Sequence, residues 1–478
     1  MLLKLPVVLL LVAAAAAASA PHDEWSRFRG PNGSGISEAS NLPVEFGPET
    51  NLLWKLDLPQ GHSSPILHGD RIYLTAFREK DLFTLAIGTD GRILWETKLS
   101  GLATPPADKR NNAASPSPAV DDTGVYVFFH DFGLISYTRD GKERWRLPLG
   151  PFINLYGMGA SPILAGDLVV LAADQSVDSF VMGVDKATGA VRWKTMRPEA
   201  KSGHSTPILW TNAEGEQQIL LPGSFLLTAY DAKTGAKKWW TSGLSFEMKS
   251  VPVIGKVAGA DMLFVNGYGS PENDPGRLLN PGETADVFAA HDADRTGTLE
   301  PAELPSDHAK GWLVVYDLDN NGHVTPSEWD YYRAALASRN GVLAIRLGGE
   351  GDMTAKNVVW QYQRSVPQLP SPLLYGGVLY MVNDGGIVTT LNPETGDVLK
   401  QGRIPGAIDR YYASPVAGDG KVYMTSEKGK IAVLRPDGSL EPVAVNDIGE
   451  DTYATPALAD GRIYVRTIRT LFAFGVDQ

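Results

Sequence analysis

Cysteine is absent from all 478 positions of this chain, and its absence excludes several kinds of chemistry. Without a thiol there is no disulfide, no cysteine nucleophile, no Cys-x-x-Cys-His haem attachment and no lipid-bearing cysteine. Positive charge is also in short supply, because 55 acidic residues outnumber 43 lysines and arginines and leave a net charge of −12. Nucleic-acid binding requires a basic face, so we expect no nucleic-acid partner.

The start of the chain is a long apolar run. Residues 1–20 read MLLKLPVVLLLVAAAAAASA, with one lysine near the beginning and an Ala-x-Ala-like end. This pattern predicts a secretory signal peptide rather than a helix that spans the membrane. We therefore expect an exported protein, periplasmic or extracellular, with no transmembrane anchor after signal cleavage. Residues 21–50 would form an N-terminal segment ahead of the rest of the fold.

The most abundant pattern in the chain is a repeat that occurs eight times. Each copy starts with Ser, Thr or Val before Pro, and five of the seven steps between copies are 41 to 45 residues. In six copies a tyrosine or valine stands eight positions after that proline. A fixed period of this length indicates stacked supersecondary units. The eight starts are Ser64-Pro65, Ser117-Pro118, Ser161-Pro162, Thr206-Pro207, Val251-Pro252, Ser371-Pro372, Ser414-Pro415 and Thr455-Pro456.

Each copy has the pattern of four short β-strands separated by glycine-bearing turns. The sequence therefore predicts an all-β, eight-bladed β-propeller of four-stranded blades, built from residues 51–270 and 341–478. The last copy lacks a fourth strand, whereas residues 51–58, NLLWKLDL, resemble a fourth strand without a blade. We expect this N-terminal strand to complete the last blade and close the ring, which removes exposed strand edges. The repeated tryptophans are expected to pack between neighbouring blades.

One step in the repeat is much longer than the others and indicates an insertion. From Pro252 to Pro372 the step is 120 residues, so residues 271–340 are predicted to be inserted into blade five. The insertion contains two loops with the spacing of EF-hand calcium sites, in which oxygen ligands occupy positions 1, 3, 5, 7 and 12 around a glycine at position 6. The predicted ligands are Asp292, Asp294, Thr296, Thr298 and Glu303 in the first loop and Asp317, Asp319, Asn321, His323 and Glu328 in the second.

Features on either side of the loops agree with this small α-helical EF-hand insertion. Leu299 and Val324 occupy position 8 of the two loops, where they would pair as a short strand. Thr325 and Glu328 form a capping box that opens a helix. The loops start only 25 residues apart, so the helices between them must be short or merged. Two calcium ions are predicted; the alternative is a pair of acidic surface turns that bind no ion.

Several stretches carry the Asp-x-x-Thr-Gly-x-x-x-Trp ending of a known repeat. The unit from residue 161 to 194, with its VDKATGAVRWK ending, resembles the pyrroloquinoline-quinone-type propeller repeat, as do LTAYDAKTGAKKWW and VTTLNPETGDVLK. That family includes quinone-dependent alcohol dehydrogenases and a lipoprotein that assembles outer-membrane barrels. The resemblance implies a propeller, but the adjacent cysteines of the dehydrogenases and the lipid-bearing cysteine of the lipoprotein are both missing. WSRFRGPNGSG resembles the N-terminal segment of a group of exported quinone-repeat propellers.

Residues just before each Ser-Pro or Thr-Pro start are expected at the mouth of the central channel, together with the insertion. These residues carry cations, imidazoles and phenols, which suit an acidic planar ligand such as a quinone tricarboxylate. They also suit a purely structural role in holding loops. The candidate funnel residues are His62, His204, Lys249, Arg410, Tyr412 and Tyr453, with Asn112 and Tyr156 at related positions.

The sequence shows no nucleophile motif, phosphate loop or metal-hydrolase spacing. We therefore favour a non-enzymatic binding or scaffold protein that acts on a peptide, protein or glycan through its top face. A dehydrogenase that uses pyrroloquinoline quinone in the central funnel is the alternative, and would oxidise an alcohol or a sugar. An assembly factor for outer-membrane proteins is a third hypothesis, which the missing lipid anchor disfavours.

Overall fold

A computed structural model describes residues 25–102, 108–269 and 279–476. The predicted signal peptide at residues 1–20 and part of the predicted insertion therefore lie outside the described residues. The described strands form eight sheets, each with four antiparallel strands, arranged as an eight-bladed propeller, which confirms the predicted fold. Inner strands are buried and outer strands are partly exposed, as the burial of neighbouring strands in the first blade shows.

The first half of the ring comprises the closing strand and blades one to four. The closing strand is β1 (Leu52–Asp57). Blade one contains β2 (Ile66–His68), β3 (Arg71–Arg78), β4 (Asp81–Gly88) and β5 (Ile93–Ser100), and blade two contains β6 (Ala119–Asp121), β7 (Gly124–Phe129), β8 (Gly133–Tyr137) and β9 (Glu143–Leu147). Blade three contains β10 (Ile163–Ala165), β11 (Leu168–Ala173), β12 (Phe180–Asp185) and β13 (Val191–Met196), and blade four contains β14 (Ile208–Thr211), β15 (Gln217–Pro222), β16 (Leu226–Asp231) and β17 (Lys237–Ser242).

The second half of the ring comprises blades five to eight and the helices. Blade five contains β18 (Val253–Val257), β19 (Ala260–Gly267), β20 (Gly341–Arg346) and β22 (Val358–Tyr362), while β21 (Gly351–Asp352) joins blade four as a fifth, parallel strand beside β17. Blade six contains β23 (Leu373–Tyr375), β24 (Val378–Val382), β25 (Val388–Leu391) and β26 (Val398–Gly402). Blade seven contains β27 (Val416–Gly418), β28 (Lys421–Thr425), β29 (Lys430–Leu434) and β30 (Pro442–Asp447), and blade eight contains β31 (Ala457–Ala459), β32 (Arg462–Arg466) and β33 (Thr470–Gly475).

Four α-helices interrupt this pattern among the described residues. Helices α1 (Thr284–His291), α2 (Asp307–Tyr316) and α3 (Pro326–Ala337) lie between β19 and β20, which is the connection where the insertion is predicted. Helix α4 (Thr354–Asn357) precedes β22, and a single 3-10 turn covers Pro31–Gly33. In the described part of the chain, every helix is too short or too polar to cross a membrane.

The N-terminal strand closes the ring as predicted. Strand β1 pairs antiparallel with β33, for example Lys55 with Phe472, and so supplies the fourth strand of blade eight. Phe46, just ahead of β1, packs on Phe474 with ring centroids 5.2 Å apart. Two distant parts of the chain are therefore joined in one sheet, and β33 is paired on both sides instead of being an exposed edge strand.

The repeated tryptophans join neighbouring blades. Trp54 of β1 donates its indole N–H to the carbonyl of Thr89 in blade one at 2.9 Å, and Trp145 of blade two does the same to Lys186 of blade three. The turn glycine beneath each ring, Gly91 or Gly189, has positive φ and no room for a Cβ. The Asp-x-x-Thr-Gly-type turn therefore uses glycine for two reasons, a left-handed backbone and contact with the neighbouring tryptophan.

A ring of hydrogen bonds around the channel explains the Ser/Thr-Pro repeat. The backbone N–H of seven of the eight ring residues donates to the side-chain hydroxyl of the next blade's ring residue at 2.9–3.1 Å. The seven links run from Ser64 to Ser117, Ser117 to Ser161, Ser161 to Thr206, Val251 to Ser371, Ser371 to Ser414, Ser414 to Thr455 and Thr455 to Ser64. Val251 has no hydroxyl, so the ring is open between blades four and five.

Candidate functional site: a funnel lined with aromatic rings and paired charges

The ring of hydroxyls surrounds the base of a central funnel. The described residues enclose a cavity of about 170 Å³ there. Residues just before the ring positions form much of its wall, because each blade's inner strand begins there. The lining includes Phe28, His62, Asp108, Arg110, Asn111, Tyr156, His204, Lys249, Gln368, Leu369, Tyr412 and Tyr453, together with ring residues such as Ser64 and Thr206.

One side of the funnel is a stack of three aromatic rings. His62 stacks on Tyr453 with centroids 4.5 Å apart and planes 15° apart, and Tyr453 stacks on Tyr412 at 5.4 Å and 4°. The Tyr453 hydroxyl donates to Glu427 at 2.9 Å, which fixes the middle ring. Both faces of Tyr453 are stacked against its neighbours, so the stack offers a ligand its ring edges and the outer faces of His62 and Tyr412.

The two cations of the lining are each balanced by a carboxylate. Arg110 donates from Nε and Nη2 to the two oxygens of Asp108, both at 2.7 Å, and this bond lowers the pKa of Asp108. Lys249 Nζ lies 2.5 Å from Glu247 Oε2, and both side chains are less than a tenth exposed. A side-on guanidinium pair and a buried ammonium pair are rigid, so the funnel carries little net charge of its own.

The two histidines of the funnel are neutral near pH 7. Burial and the positive charge of Arg466 lower the pKa of His62 to about 4. Burial and the charges of Lys249 and Arg110 lower the pKa of His204 to about 3. His204 Nε2 is buried and has no hydrogen-bond partner among the described residues, so it is free to bond to a ligand.

The structure places most of the predicted funnel residues together but not all of them. His62, His204, Lys249, Tyr412, Tyr453 and Tyr156 line the cavity. Arg410 does not line the cavity; its exposed side chain bonds to Tyr412 at the rim. Asn112 does not line the cavity, but its neighbour Asn111 does. The side-chain amide of Asn111 donates to the carbonyl of Tyr156 at 2.6 Å.

The sequence-based prediction missed the carboxylates that balance the funnel cations. Asp108 is two positions from Arg110, and Glu247 is two positions from Lys249. Oppositely charged residues two apart in a loop can pair, so this spacing was the available signal. Asp384 was also missed; burial raises its pKa, and its Oδ1 accepts the N–H of Gln368 at 2.9 Å.

The two predicted calcium loops bring their carboxylates together. In the first loop the carboxylate oxygens of Asp292, Asp294 and Glu303 lie within 4.8 Å of one another, and in the second those of Asp317, Asp319 and Glu328 do so. These are the acidic predicted ligands; Thr296, Thr298, Asn321 and His323 occupy the loop positions between them. The carboxylates of either loop are close enough together to hold a metal ion.

The local structure around these loops matches the sequence-based expectations. Leu299 and Val324 form an antiparallel bridge with N–H···O distances of 2.9 and 2.8 Å. Thr325 and Glu328 form the capping box of α3. Helix α2 alone separates the loops, so it serves as the exit helix of the first and the entry helix of the second. This merger accounts for their short separation along the chain.

The insertion packs on loops of blade four and on the connection between blades four and five. Trp312 of α2 contacts Phe246 with centroids 5.8 Å apart, and Tyr331 of α3 contacts Phe225 at 6.0 Å. Phe246 belongs to the connection that carries Glu247 and Lys249 into the funnel. The insertion therefore packs against the connection that carries one of the two charge pairs, although none of its described residues lines the cavity.

Fold and site together define an eight-bladed β-propeller with a ligand-sized funnel on its axis. Residues 47–152, 154–245 and 329–477 match the PQQ_2 family, described as outer membrane protein assembly factor BamB, and this match covers more than half of the chain. The chain belongs to this family, and the predicted quinone-type repeat is thereby confirmed. No curated protein matches the chain.

Solved structures support the same fold. BamB from Moraxella catarrhalis matches with a TM-score of 0.54 and 12% identity, over 89% of this chain and 98% of that one. A europium-containing methanol dehydrogenase matches at 0.59 and 9%, over 95% and 98%. The quinohemoprotein alcohol dehydrogenase ADHIIG from Pseudomonas putida HK5 matches at 0.57 and 13%, over 95% and 81%. At such low identities these likenesses show the fold and leave activity open.

The funnel residues fit a tricarboxylate quinone poorly. A trianionic ligand needs cations whose charge is not already balanced, but Asp108 engages Arg110 and Glu247 engages Lys249. Asp384 adds a further carboxyl group behind Gln368 and Leu369. Among the described residues, both groups of three potential metal ligands lie in the insertion, and neither lies in the funnel. The arrangement therefore argues against quinone chemistry at this site.

Proposed function

We propose that this chain is an exported binding propeller whose funnel holds a neutral ring-shaped ligand, namely the terminal sugar of a glycan. The observation that carries the proposal is the stack of His62, Tyr453 and Tyr412 beside two internally balanced charge pairs. Aromatic faces pack on the apolar face of a sugar ring, and fixed charged and amide groups bond to its hydroxyls. Neutral imidazoles and paired charges give no preference for an anion.

A direct binding assay tests this function. Purified protein is titrated by calorimetry with glucose, galactose, N-acetylglucosamine, maltose and cellobiose, and separately with pyrroloquinoline quinone. We expect at least one sugar to bind and Tyr453→Ala to weaken that binding about tenfold, because the middle ring holds its two neighbours in the stack. The matched control is Tyr375→Ala, because the Tyr375 hydroxyl bonds to Gly420 far from the funnel. Stoichiometric quinone binding with no sugar binding would overturn the proposal.

We further propose that the insertion binds two calcium ions that stabilise it. The support is the ligand spacing together with two carboxylate groups that each converge within 4.8 Å. Calcium titrated into metal-free protein is expected to show two sites, with Glu328→Gln and Glu303→Gln each removing one. Asp286→Asn is the control, because Asp286 is an exposed carboxylate in α1 that lies outside both loops. Unchanged stoichiometry in both ligand variants would contradict the assignment.

Export is part of the same proposal and rests on the predicted signal peptide at residues 1–20. The full chain expressed in a Gram-negative host should appear in the periplasm or medium with a shortened N-terminus. Fractionation followed by N-terminal sequencing measures this. Cytoplasmic protein with an intact start would rule out export.

A further inference from the structure

The N-terminal segment crosses the propeller axis and contacts most blades from below the hydroxyl ring. Trp25 pairs with Leu67 of blade one, and the carbonyl of Ser26 accepts the N–H of Val120 in blade two. Asn32 exchanges two hydrogen bonds with Leu209 of blade four, at 2.7 and 2.8 Å. Further along, the segment reaches blade seven, where the carbonyl of Gly35 accepts from Ala417. These contacts fix the segment across the channel.

Two buried arginines fasten the middle of this segment. Arg27 Nη2 donates to the carbonyl of Pro207 at 2.5 Å, and Arg29 Nη2 donates to the carbonyl of Pro372 at 2.8 Å. Arg27 is 7% exposed and Arg29 is fully buried. Neither has a carboxylate partner among the described residues, and burial lowers the pKa of each to about 9. Both guanidinium groups therefore stay charged and bond to the carbonyls of prolines that follow ring positions.

Phe28 lies between these arginines and is the residue of this segment that lines the cavity. Its ring packs on a buried cluster that includes Ile208, Val251 and Leu263. Gly33, five residues on, approaches Val251 so closely that a Cβ would lie 3.0 Å from its Cγ1. The aromatic ring thus lies between the cavity, which it lines, and the apolar core between blades four and five.

We infer that Phe28 is the floor of the funnel and sets how deeply a ligand can enter. Arg27 and Arg29 are positioning residues that hold Phe28 on the axis. The part of this inference that concerns ligand depth rests on the proposed function, because depth of entry matters only if a ligand binds in the funnel. The closure itself is a property of the protein alone and is measured separately.

A thiol placed behind the floor measures the closure. The protein has no cysteine, so Val251→Cys gives a single reporter, and it removes no ring hydroxyl because position 251 has none. In the otherwise unchanged chain this thiol should react slowly with a small methanethiosulfonate reagent. Combining it with Phe28→Ala should speed the reaction about tenfold, since a local barrier to solvent is lost. Combination with Phe28→Leu, which keeps an apolar floor, should change the rate little.

A second reporter separates floor opening from general loosening. Val169→Cys places a thiol in the buried core of blades two and three, away from Phe28. Its reaction should be equally slow with and without Phe28→Ala. Equal rates at position 251 with and without Phe28→Ala would overturn the inference, as would a parallel increase at both positions.

Sugar binding then tests the consequence for selectivity. With the floor removed, Phe28→Ala should increase the affinity for cellobiose relative to glucose, because the longer ligand gains depth. An unchanged ratio would overturn the role of Phe28 in selectivity. If no sugar binds the unaltered protein, the proposed function fails, while the thiol rates still decide whether Phe28 closes the channel.

Discussion

Arg197 and Arg29 are both fully buried arginines, yet the protein treats their charges in opposite ways. Arg197, in the upper loops of blade three, donates from Nε and Nη2 to Asp174 at 2.7 and 3.0 Å. Burial would lower the pKa of Arg197, but the charge of Asp174 raises it overall. Arg29, next to Phe28, bonds only to carbonyls among the described residues, and burial lowers its pKa to about 9. A buried guanidinium can thus be held by charge or by backbone dipoles alone, at different cost.

The largest effect should come from breaking the charged pair. Asp174→Asn leaves Arg197 buried without a counter-charge, so we expect a loss of about 3–5 kcal/mol in the free energy of unfolding. Denaturant unfolding measures this, with Asp178→Asn as the control because Asp178 is exposed in the same loop. A loss as small as that of the control would mean that Arg197 does not depend on its carboxylate.

Removing the unpaired charge should cost less. Arg29→Met takes away an uncompensated cation but leaves the carbonyls of Pro372 and Pro415 without their donor, so we expect a loss of about 1–3 kcal/mol. Arg92→Met, on an exposed turn, is the control. If Arg29→Met destabilised the protein as much as Asp174→Asn, Arg29 would have to be paired with a negative charge, contrary to its contacts.

The funnel histidines extend the comparison to pH. The folded-state pKa of His204 is about 3, well below the ordinary value of 6.5. Between these values the unfolded chain binds a proton that the folded protein does not, so stability falls as pH drops below 6.5, by at most about 1.4 kcal/mol per pH unit. His204→Gln should flatten the difference between unfolding at pH 7 and pH 5. A difference as steep as in the unaltered protein would contradict the lowered pKa.

The smallest effect concerns a neutral contact, one link of the hydroxyl ring. Ser117→Ala removes the acceptor for the N–H of Ser64, and we expect a loss of about 1 kcal/mol. Ser117→Thr keeps the hydroxyl, as Thr206 and Thr455 do at equivalent positions, and should retain most of the stability. Equal losses in the two variants would show that size rather than the hydrogen bond matters there.

The sequence repeat made the propeller fold predictable, whereas no sequence pattern predicted that the segment around Phe28 would line the funnel. The eight proline starts fixed the number of blades, and the unmatched strand around Trp54 predicted the ring closure. The segment with Arg27 and Phe28 has no period, and its contacts with the blades lie far away in sequence, for example 42 residues for Trp25 and Leu67 and 180 for Arg27 and Pro207. The funnel was predicted only in part. Arg410 was predicted to line the cavity but lies at its rim, and the carboxylates that pair with the funnel cations were not predicted because their pairing depends on how the loops fold.

The closing strand also affects where along the ring the chain can begin and end. Strand β1 and strand β33 come from opposite ends of the chain but lie side by side in one blade. Neighbouring blades are also held together by the hydroxyl links of the ring, and these links do not require the two blades to be consecutive in the chain. The ring should therefore tolerate circular permutation: a flexible linker from the end of β33 to residue 25, with new termini in an exposed turn of another blade, would keep the N-terminal segment and preserve every sheet.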